Sequence, residues 1–270
     1  MAEIINKKEN RKNNSSWEDN TKKTILYADF MGFKSRIYSW THDSIKNDMI
    51  VFHSKFLNSI KTLGLNEYLK FVQFSDSLLL VVNGIDEKMI DVLSRATASL
   101  FHISMGMRLP IKGVIAQGEF SYDEKNELYL GRPLVDAYLL HEEIKYYGVV
   151  VHHTAENTIK NYNKTYSFYS NTPIPLLKGK VSHYHLCWNL ISQELYLSDI
   201  TSKCNEWLDI ISESVSGEPR MYIDRTKEVL NNDQKVYKKN HLEAVSEESL
   251  SKRVSQYYSY LKGISDKIDS

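Results

Sequence analysis

The chain has 270 residues, with 34 Lys and Arg balancing 34 Asp and Glu, and 42% of it is hydrophobic. A formal net charge of zero excludes a non-specific nucleic-acid binder, whose affinity rests on a cationic excess. Two cysteines exclude a disulfide framework, and no apolar run approaches the roughly 18–20 residues that span a bilayer, so the expectation is a cytoplasmic protein with neither nucleic-acid nor membrane partners.

Residues 1–22 are polar and rich in Lys and Asn; with little apolar surface to offset chain ordering they read as a flexible leader without the apolar core of a signal peptide. Thr24 to Asp29 is a short apolar run ending in a carboxylate, and Phe30-Met31-Gly32-Phe33 supplies a glycine-permitted turn. Ile45, Met49, Phe52, Phe56, Ile60 and Leu63 recur at spacings of three and four, which predicts one long helix closed by Gly64. Leu69–Phe74 and Leu78–Val82 flank the polar turn Ser75-Asp76-Ser77 and predict a β-hairpin with Asp76 at its tip.

A second helix fits Asp86 to Met107. A strand from Ile111 to Tyr122 turns at Asp123–Asn126 and returns over Glu127–Leu130; after Gly131-Arg132-Pro133 a helix runs to about Tyr146, and Val149–Val151 reads as a buried strand. Tyr166 to Leu197 alternates short strands with turns. Beyond residue 200 the pattern is helical, interrupted at Gly217-Glu218-Pro219, and ends in a four-three repeat of Leu250, Val254, Tyr257, Leu261, Ile264 and Ile268. The predicted organisation is a domain over 23–200 and a helical extension over 201–270. The skeleton is an α+β, ferredoxin-like βαββαβ core, which brings Asp29 and Asp76 to one border of the sheet.

Two adjacent carboxylates at strand ends suit a hard divalent cation, which prefers oxygen ligands and keeps positions open for phosphate oxygens. The turn after Asp29 adds backbone N–H groups from Met31 to Phe33 on which a triphosphate could rest. The histidine pairs His152-His153 and His183-x-His185 read as packing or surface residues, because no Cys or carboxylate lies at ligand spacing and adjacent strand residues point apart.

Tyr27-Ala28-Asp29-Phe30-Met31-Gly32-Phe33 resembles the Asp-x-x-Gly-Phe metal motif of class III nucleotidyl cyclases, and Phe74-Ser75-Asp76-Ser77-Leu78 resembles their Gly-Asp-Ser hairpin with Ser75 in place of Gly. Ile111 to Glu119, then Tyr129-Leu130-Gly131 through Ala137, is similar to the later Gly-rich strand and helix start of that family. The resemblance implies a homodimer with its sites at the interface, and two Mg²⁺ or Mn²⁺ ions held by Asp29, Asp76 and the Phe30 carbonyl. It also implies attack of a ribose 3′-hydroxyl on the α-phosphorus with loss of pyrophosphate.

The chain departs from the family at four positions. Val135 and Leu139 stand where transition-state Asn and Arg belong, and Val72 and Leu128 stand where purine-reading Lys and Asp belong. Such losses resemble the Pycsar-type bacterial antiphage cyclases, which implies a pyrimidine triphosphate, UTP or CTP, as substrate and a product that acts on a separate effector protein. By the same resemblance, Pro175 to Lys180 looks like the phosphate-binding Lys loop. Lys178 is the first candidate for the triphosphate, reaching it from the partner chain, with Arg132 and Lys112 behind it. Phe71, Val72 and Gln73 are candidates for the base pocket, with strand alternation letting either Val72 or Gln73 point inward. Two rivals share these residues: an inactive cyclase-like module that dimerises and senses nucleotide, and a purine cyclase that reads its base unconventionally.

Overall fold

In a computed structural model, residues 17, 21–196 and 199–244 are described. The repeat from Leu250 to Ile268 and leader residues 1–16 and 18–20 lie outside them. Trp17 packs edge-on against Tyr122, 5.9 Å between ring centres, and β1 (Lys22–Phe30) already opens at Lys22.

Elements β1, α1 (Phe33–Ser39), α2 (His42–Thr62), β2 (Leu69–Phe74), β3 (Ser77–Val82), α3 (Glu87–Gly106) and β4 (Ile111–Asp123) follow in order. Their strands lie β2-β3-β1-β4 and are antiparallel throughout, which is the ferredoxin-like arrangement expected. β5 (Leu128–Gly131) folds back on the far end of β4, and α4 (Arg132–Glu143) leads to β6 (Val149–Val151), which pairs with β4 in parallel. After α5 (Glu156–Tyr166), the hairpin of β7 (Tyr169–Leu176) and β8 (Gly179–Leu186) completes the sheet through β8 against β6. Helices α6 (Trp188–Tyr196), α7 (Ile200–Ser212) and α8 (Glu218–Ala244) close the described chain. Among the described residues no helix is long and apolar enough to cross a membrane.

Burial follows from strand alternation. Leu78, Leu80 and Val82 of β3 join the core beneath α2 and α3, whereas Leu79 and Val81 join a second cluster with Ile25, Val114 and Ala137. Five successive buried apolar residues make β3 a central strand, each contributing roughly 1.5–3 kcal/mol by leaving water. Helix starts are capped as their residues dictate: the Thr41 hydroxyl accepts from the Ser44 N–H at 3.3 Å, and the Asp86 carboxylate from the Met89 N–H at 3.0 Å. Gly131 is required at the entry to α4, because a Cβ there would sit 2.4 Å from the Glu119 carbonyl oxygen.

Several expectations need correction. The predicted long helix is preceded by a separate short one, α1, because Trp40 leaves the helical region and Thr41 starts a new N-cap. The helix after Pro133 ends at Glu143, where Ile144 turns extended, so Tyr146 lies beyond it. Residues 166–196 hold two eight-residue strands and a helix rather than short strands and turns, and α5 is a helix that the sequence pattern does not show. The interruption expected at Gly217-Glu218-Pro219 is present: α7 ends at Ser212 and α8 starts at Glu218 with Pro219 in its first turn, where proline is tolerated.

The hairpin loop is tighter than its sequence suggested: Ser77 pairs with Phe74, leaving Ser75 and Asp76 as a two-residue turn with Ser75 at φ 55°. A left-handed conformation costs an L-residue roughly 1–2 kcal/mol that glycine does not incur. Ser75→Gly is therefore expected to leave the fold intact and raise the urea midpoint, with a stability gain of up to about 1 kcal/mol after glycine's larger unfolded-state entropy is subtracted. An unchanged or lower midpoint would show that the Ser75 side chain stabilises the turn.

Candidate active site

The register of β1 brings Asp29 next to the hairpin turn that carries Asp76. Asp29 lies opposite Ser77 on one flank and Lys112 on the other, and the Phe30 N–H donates to the Asp76 carbonyl at 3.0 Å. Gly32, at φ 74°, turns the chain into α1. Asp29 shares its sheet face with Tyr27 and Ile25, and Phe30 points to the opposite face, where its ring meets Phe52 edge-on at 4.8 Å.

Asp29 is 18% exposed, and its two oxygens differ. Oδ2 accepts from the Tyr27 hydroxyl at 2.8 Å and lies 3.7 Å from Nε2 of His141, whereas Oδ1 is buried with no hydrogen-bond partner. Burial raises the Asp29 pKa, and the charge of Asp76 adds to the rise; the neighbouring Ser77 and Tyr27 hydroxyls and the Lys112 ammonium oppose it. An orphaned carboxylate oxygen beside a second, half-buried carboxylate is an arrangement that favours an added cation.

Two neighbours of this carboxylate went unrecognised or misassigned in the sequence. His141 is buried on α4, its ring edge-on to Tyr27 at 5.3 Å, and burial followed by the charge of Lys112 pushes its pKa down to about 3, so it is neutral. Its spacing after Pro133 was the available signal, since Ala137 and His141 fall on one helical face and both are buried. Lys112, expected to reach a triphosphate, is instead 5% exposed; its ammonium donates to the Ile144 carbonyl at 3.3 Å.

The remaining candidates divide by sheet face. Val72 packs on the Asp29 side, against the cluster of Leu79 and Val81. Phe71 and Gln73 point to the other side, Phe71 edge-on to Phe56 at 4.8 Å and Gln73 with its amide oxygen 3.3 Å from His53 Nδ1, so neither can line a pocket with the Asp29 carboxylate. The Met31 N–H, expected to receive phosphate, is already donated to the Pro110 carbonyl at 2.7 Å, and the Phe33 ring is buried. Arg132 is 81% exposed and forms an ion pair with Asp136 at 3.4 Å. Lys178 is exposed at the two-residue tip of the β7–β8 hairpin. Val135 and Leu139, with Tyr138 between them, form an exposed apolar stripe along α4, and Phe74 is exposed beside the hairpin turn. The histidine expectation also fails in detail: His152 and His153 follow β6 in a turn, with rings meeting at 4.1 Å instead of pointing apart, and Cys187, two residues after His185, has its sulfur within 4.8 Å of the His185 ring nitrogen.

The two shifted groups have opposite consequences for stability. Asp29, with its pKa raised in the fold, is destabilising when ionised, so without added metal Asp29→Asn is expected to raise the thermal midpoint at pH 7, and the difference should vanish as pH falls below the ordinary carboxylate range. His141, depressed from 6.5 to about 3, contributes stability that is full above pH 6.5 and is lost progressively as pH falls toward 3. His141→Gln should therefore flatten acid unfolding across that window, an effect on the order of a few kcal/mol. Parallel acid melts of both variants and wild type check the two signs.

No known family model matches the chain, and no curated protein sequence does. Among solved structures it is similar to the adenylyl cyclase CyaB from P. aeruginosa, at 14% identity over 61% of this chain and 93% of that one, with a TM-score of 0.45. It is also similar to the guanylate cyclase domain of RhGC from Catenaria anguillulae in complex with GTP, at 13% identity over 62% and 96%, with a TM-score of 0.48. A third similar structure is the guanylyl cyclase Cya2, at 16% identity over 52% and 79%, with a TM-score of 0.40.

Proposed function

We propose that the chain is a nucleotide cyclase that converts a pyrimidine triphosphate, UTP or CTP, into its 3′,5′-cyclic monophosphate and pyrophosphate. The observation that carries the reading is the placement of Asp29 beside the Asp76 turn at one end of the sheet, with an unpaired buried oxygen on Asp29 and a repulsion from the Asp76 charge that an added cation would relieve. Both residues fall in motifs resembling those of class III cyclases.

Asp29, Asp76 and the Phe30 carbonyl would hold two Mg²⁺ or Mn²⁺ ions, which when bound supply activation of the ribose 3′-hydroxyl and neutralisation of the triphosphate. The Tyr27 hydroxyl fixes the Asp29 carboxylate through Oδ2 and leaves Oδ1 for a ligand. Gly32 and the start of α1 keep the backbone after Asp29 close to the site without side-chain bulk, a Cβ at Gly32 meeting nothing within 4 Å. Val72 and Leu128 offer no donors or acceptors for a purine edge, which supports the pyrimidine substrate.

The site is proposed to be completed by a second copy of the chain. Support comes from exposed apolar side chains, Phe74 at 80% and Leu139 at 60% with Val135 and Tyr138, on surface that monomers ordinarily keep polar. Lys178 and Arg132 from the second copy would contact the triphosphate. In this reading the cyclic nucleotide acts on a separate effector protein in antiphage defence. A second reading, a nucleotide-sensing dimer without turnover, is favoured by Val135 and Leu139, which cannot donate hydrogen bonds to a transition state.

Incubation with each of the four triphosphates and Mn²⁺, with products identified by mass, tests both readings. Cyclic UMP or cyclic CMP is expected ahead of any purine product; preference for ATP or GTP overturns the base assignment, and no product from any triphosphate favours the sensing module. Asp29→Asn and Asp76→Asn should each lower turnover at least about 100-fold in folded protein.

A shared site predicts complementation. Inactive Asp76→Asn and Lys178→Ala chains, mixed under subunit exchange, should recover roughly a quarter of wild-type activity, since about half of the dimers are heterodimers with one intact site. Absence of recovery in verified heterodimers would place Lys178 and the carboxylates in the same chain's site, or give Lys178 another role.

A further inference from the structure

A second cluster of ligating side chains lies away from Asp29, under α8. His185 on β8, Cys187 just after it and Asp233 on α8 are 1%, 3% and 3% exposed, and their ligating atoms all lie within 4.8 Å of one another. His185 Nε2 is 2.9 Å from one Asp233 oxygen and 3.1 Å from the other. Its Nδ1 lies 3.1 Å from the His183 carbonyl. A proton on Nδ1 donated to that carbonyl turns the Nε2 lone pair into the cluster, the orientation that metal-bound imidazoles adopt. The backbone N–H of Ser170 donates to the Cys187 sulfur.

A fourth group has no partner. The Tyr146 hydroxyl, buried in the segment between α4 and β6, makes no hydrogen bond, yet it lies within electrostatic reach of both Asp233 and Cys187. An imidazolium–carboxylate pair would satisfy His185 and Asp233 and leave this hydroxyl orphaned, which buried polar groups rarely are.

We propose that His185, Cys187 and Asp233 form a zinc site that staples α8 to the end of β8. Neutral imidazole, thiolate and carboxylate sum to minus two and leave a buried Zn²⁺ site with no net charge. Bond lengths of about 2.0–2.3 Å put tetrahedral ligand atoms roughly 3.3–3.8 Å apart, so the side chains need to close by about 1 Å. A nitrogen, sulfur and oxygen donor set selects zinc over Mg²⁺ or Mn²⁺. The site is thus separate in chemistry and place from the all-oxygen Asp29–Asp76 pair.

The test uses the full chain, purified without metal-affinity chromatography and reconstituted with excess zinc before gel filtration. One zinc per chain is expected, retained in millimolar Mg²⁺ or Mn²⁺. Exchange of Co²⁺ for zinc should give a thiolate-to-cobalt charge-transfer band with the strong visible absorption of tetrahedral cobalt. The chain has two cysteines, so the band should persist in Cys204→Ser and disappear in Cys187→Ser. If Cys187→Ser fails to fold, wild-type stoichiometry and the Cys204→Ser spectrum decide the matter. Less than a tenth of an equivalent of zinc, no cobalt–thiolate band in folded wild type, loss of the band in Cys204→Ser, or its survival in Cys187→Ser overturns the proposal.

Discussion

The geometry of the candidate site depends on β1 being hydrogen-bonded along both edges. Nine residues of β1 pair with β4 and six pair with β3, so the phase of the strand is held from two sides. Leu26, Ala28 and Phe30 face the helical core and are nearly inaccessible, which forces Tyr27 and Asp29 onto the opposite face. A slip of one residue would exchange Asp29 with an apolar neighbour and put a carboxylate among Phe52 and Phe33. Hydrophobic packing on one face therefore holds an ionisable group where burial disfavours its charge.

The same alternation makes the two faces unequal. One lies beneath α2, α3, α5, α6 and α7 and is packed with apolar side chains, including the interlocking rings of Phe30, Phe52, Phe56 and Phe71. The other carries α4, whose inward residues Ala137 and His141 are buried while Val135, Tyr138 and Leu139 point away from the sheet. An outward apolar stripe gains nothing within the monomer. It acquires a physical reason only if another surface covers it, and it lies on the element whose His141 touches Asp29.

Periodicity was sufficient for the strands and helices that build the core, because Phe52, Phe56 and Ile60 on α2 and the unbroken run of β3 are one-sided or fully apolar patterns with a single packing solution. It failed for α5, whose eleven residues bury only Ile159 and Tyr162, too few to show a period. The partners of Asp29 were half legible. Asp76 and Tyr27 are near it in motif or strand phase, but His141 comes from a helix 112 positions away and Lys112 carries the sequence expectation of a triphosphate contact. Burial is a tertiary property, and a lysine on a central strand carries no local sign that the Ile144 carbonyl will receive it. The assignment of Gln73 was decided by α2, where His53 and Met49 hold its amide on the face away from Asp29. Likewise, His185 had no carboxylate nearby in sequence, and folding supplied Asp233, 48 positions later.

The charges around Asp29 are arranged asymmetrically. On the protein side, the Tyr27 hydroxyl and the buried Lys112 ammonium stabilise the carboxylate, and His141 adds no charge because burial and Lys112 together keep it neutral. On the other side stands Asp76, whose charge works against that of Asp29. Lys112 cannot relieve this repulsion by moving, since its ammonium is held by the Ile144 carbonyl and lies 5.8 Å from the Tyr222 ring. Positive charge brought to the gap between the carboxylates gains from both and is opposed by one fixed lysine behind Asp29. Coulomb attraction weakens with distance and is strongest where water is excluded, so the gain is largest at the buried, unpartnered Oδ1 of Asp29.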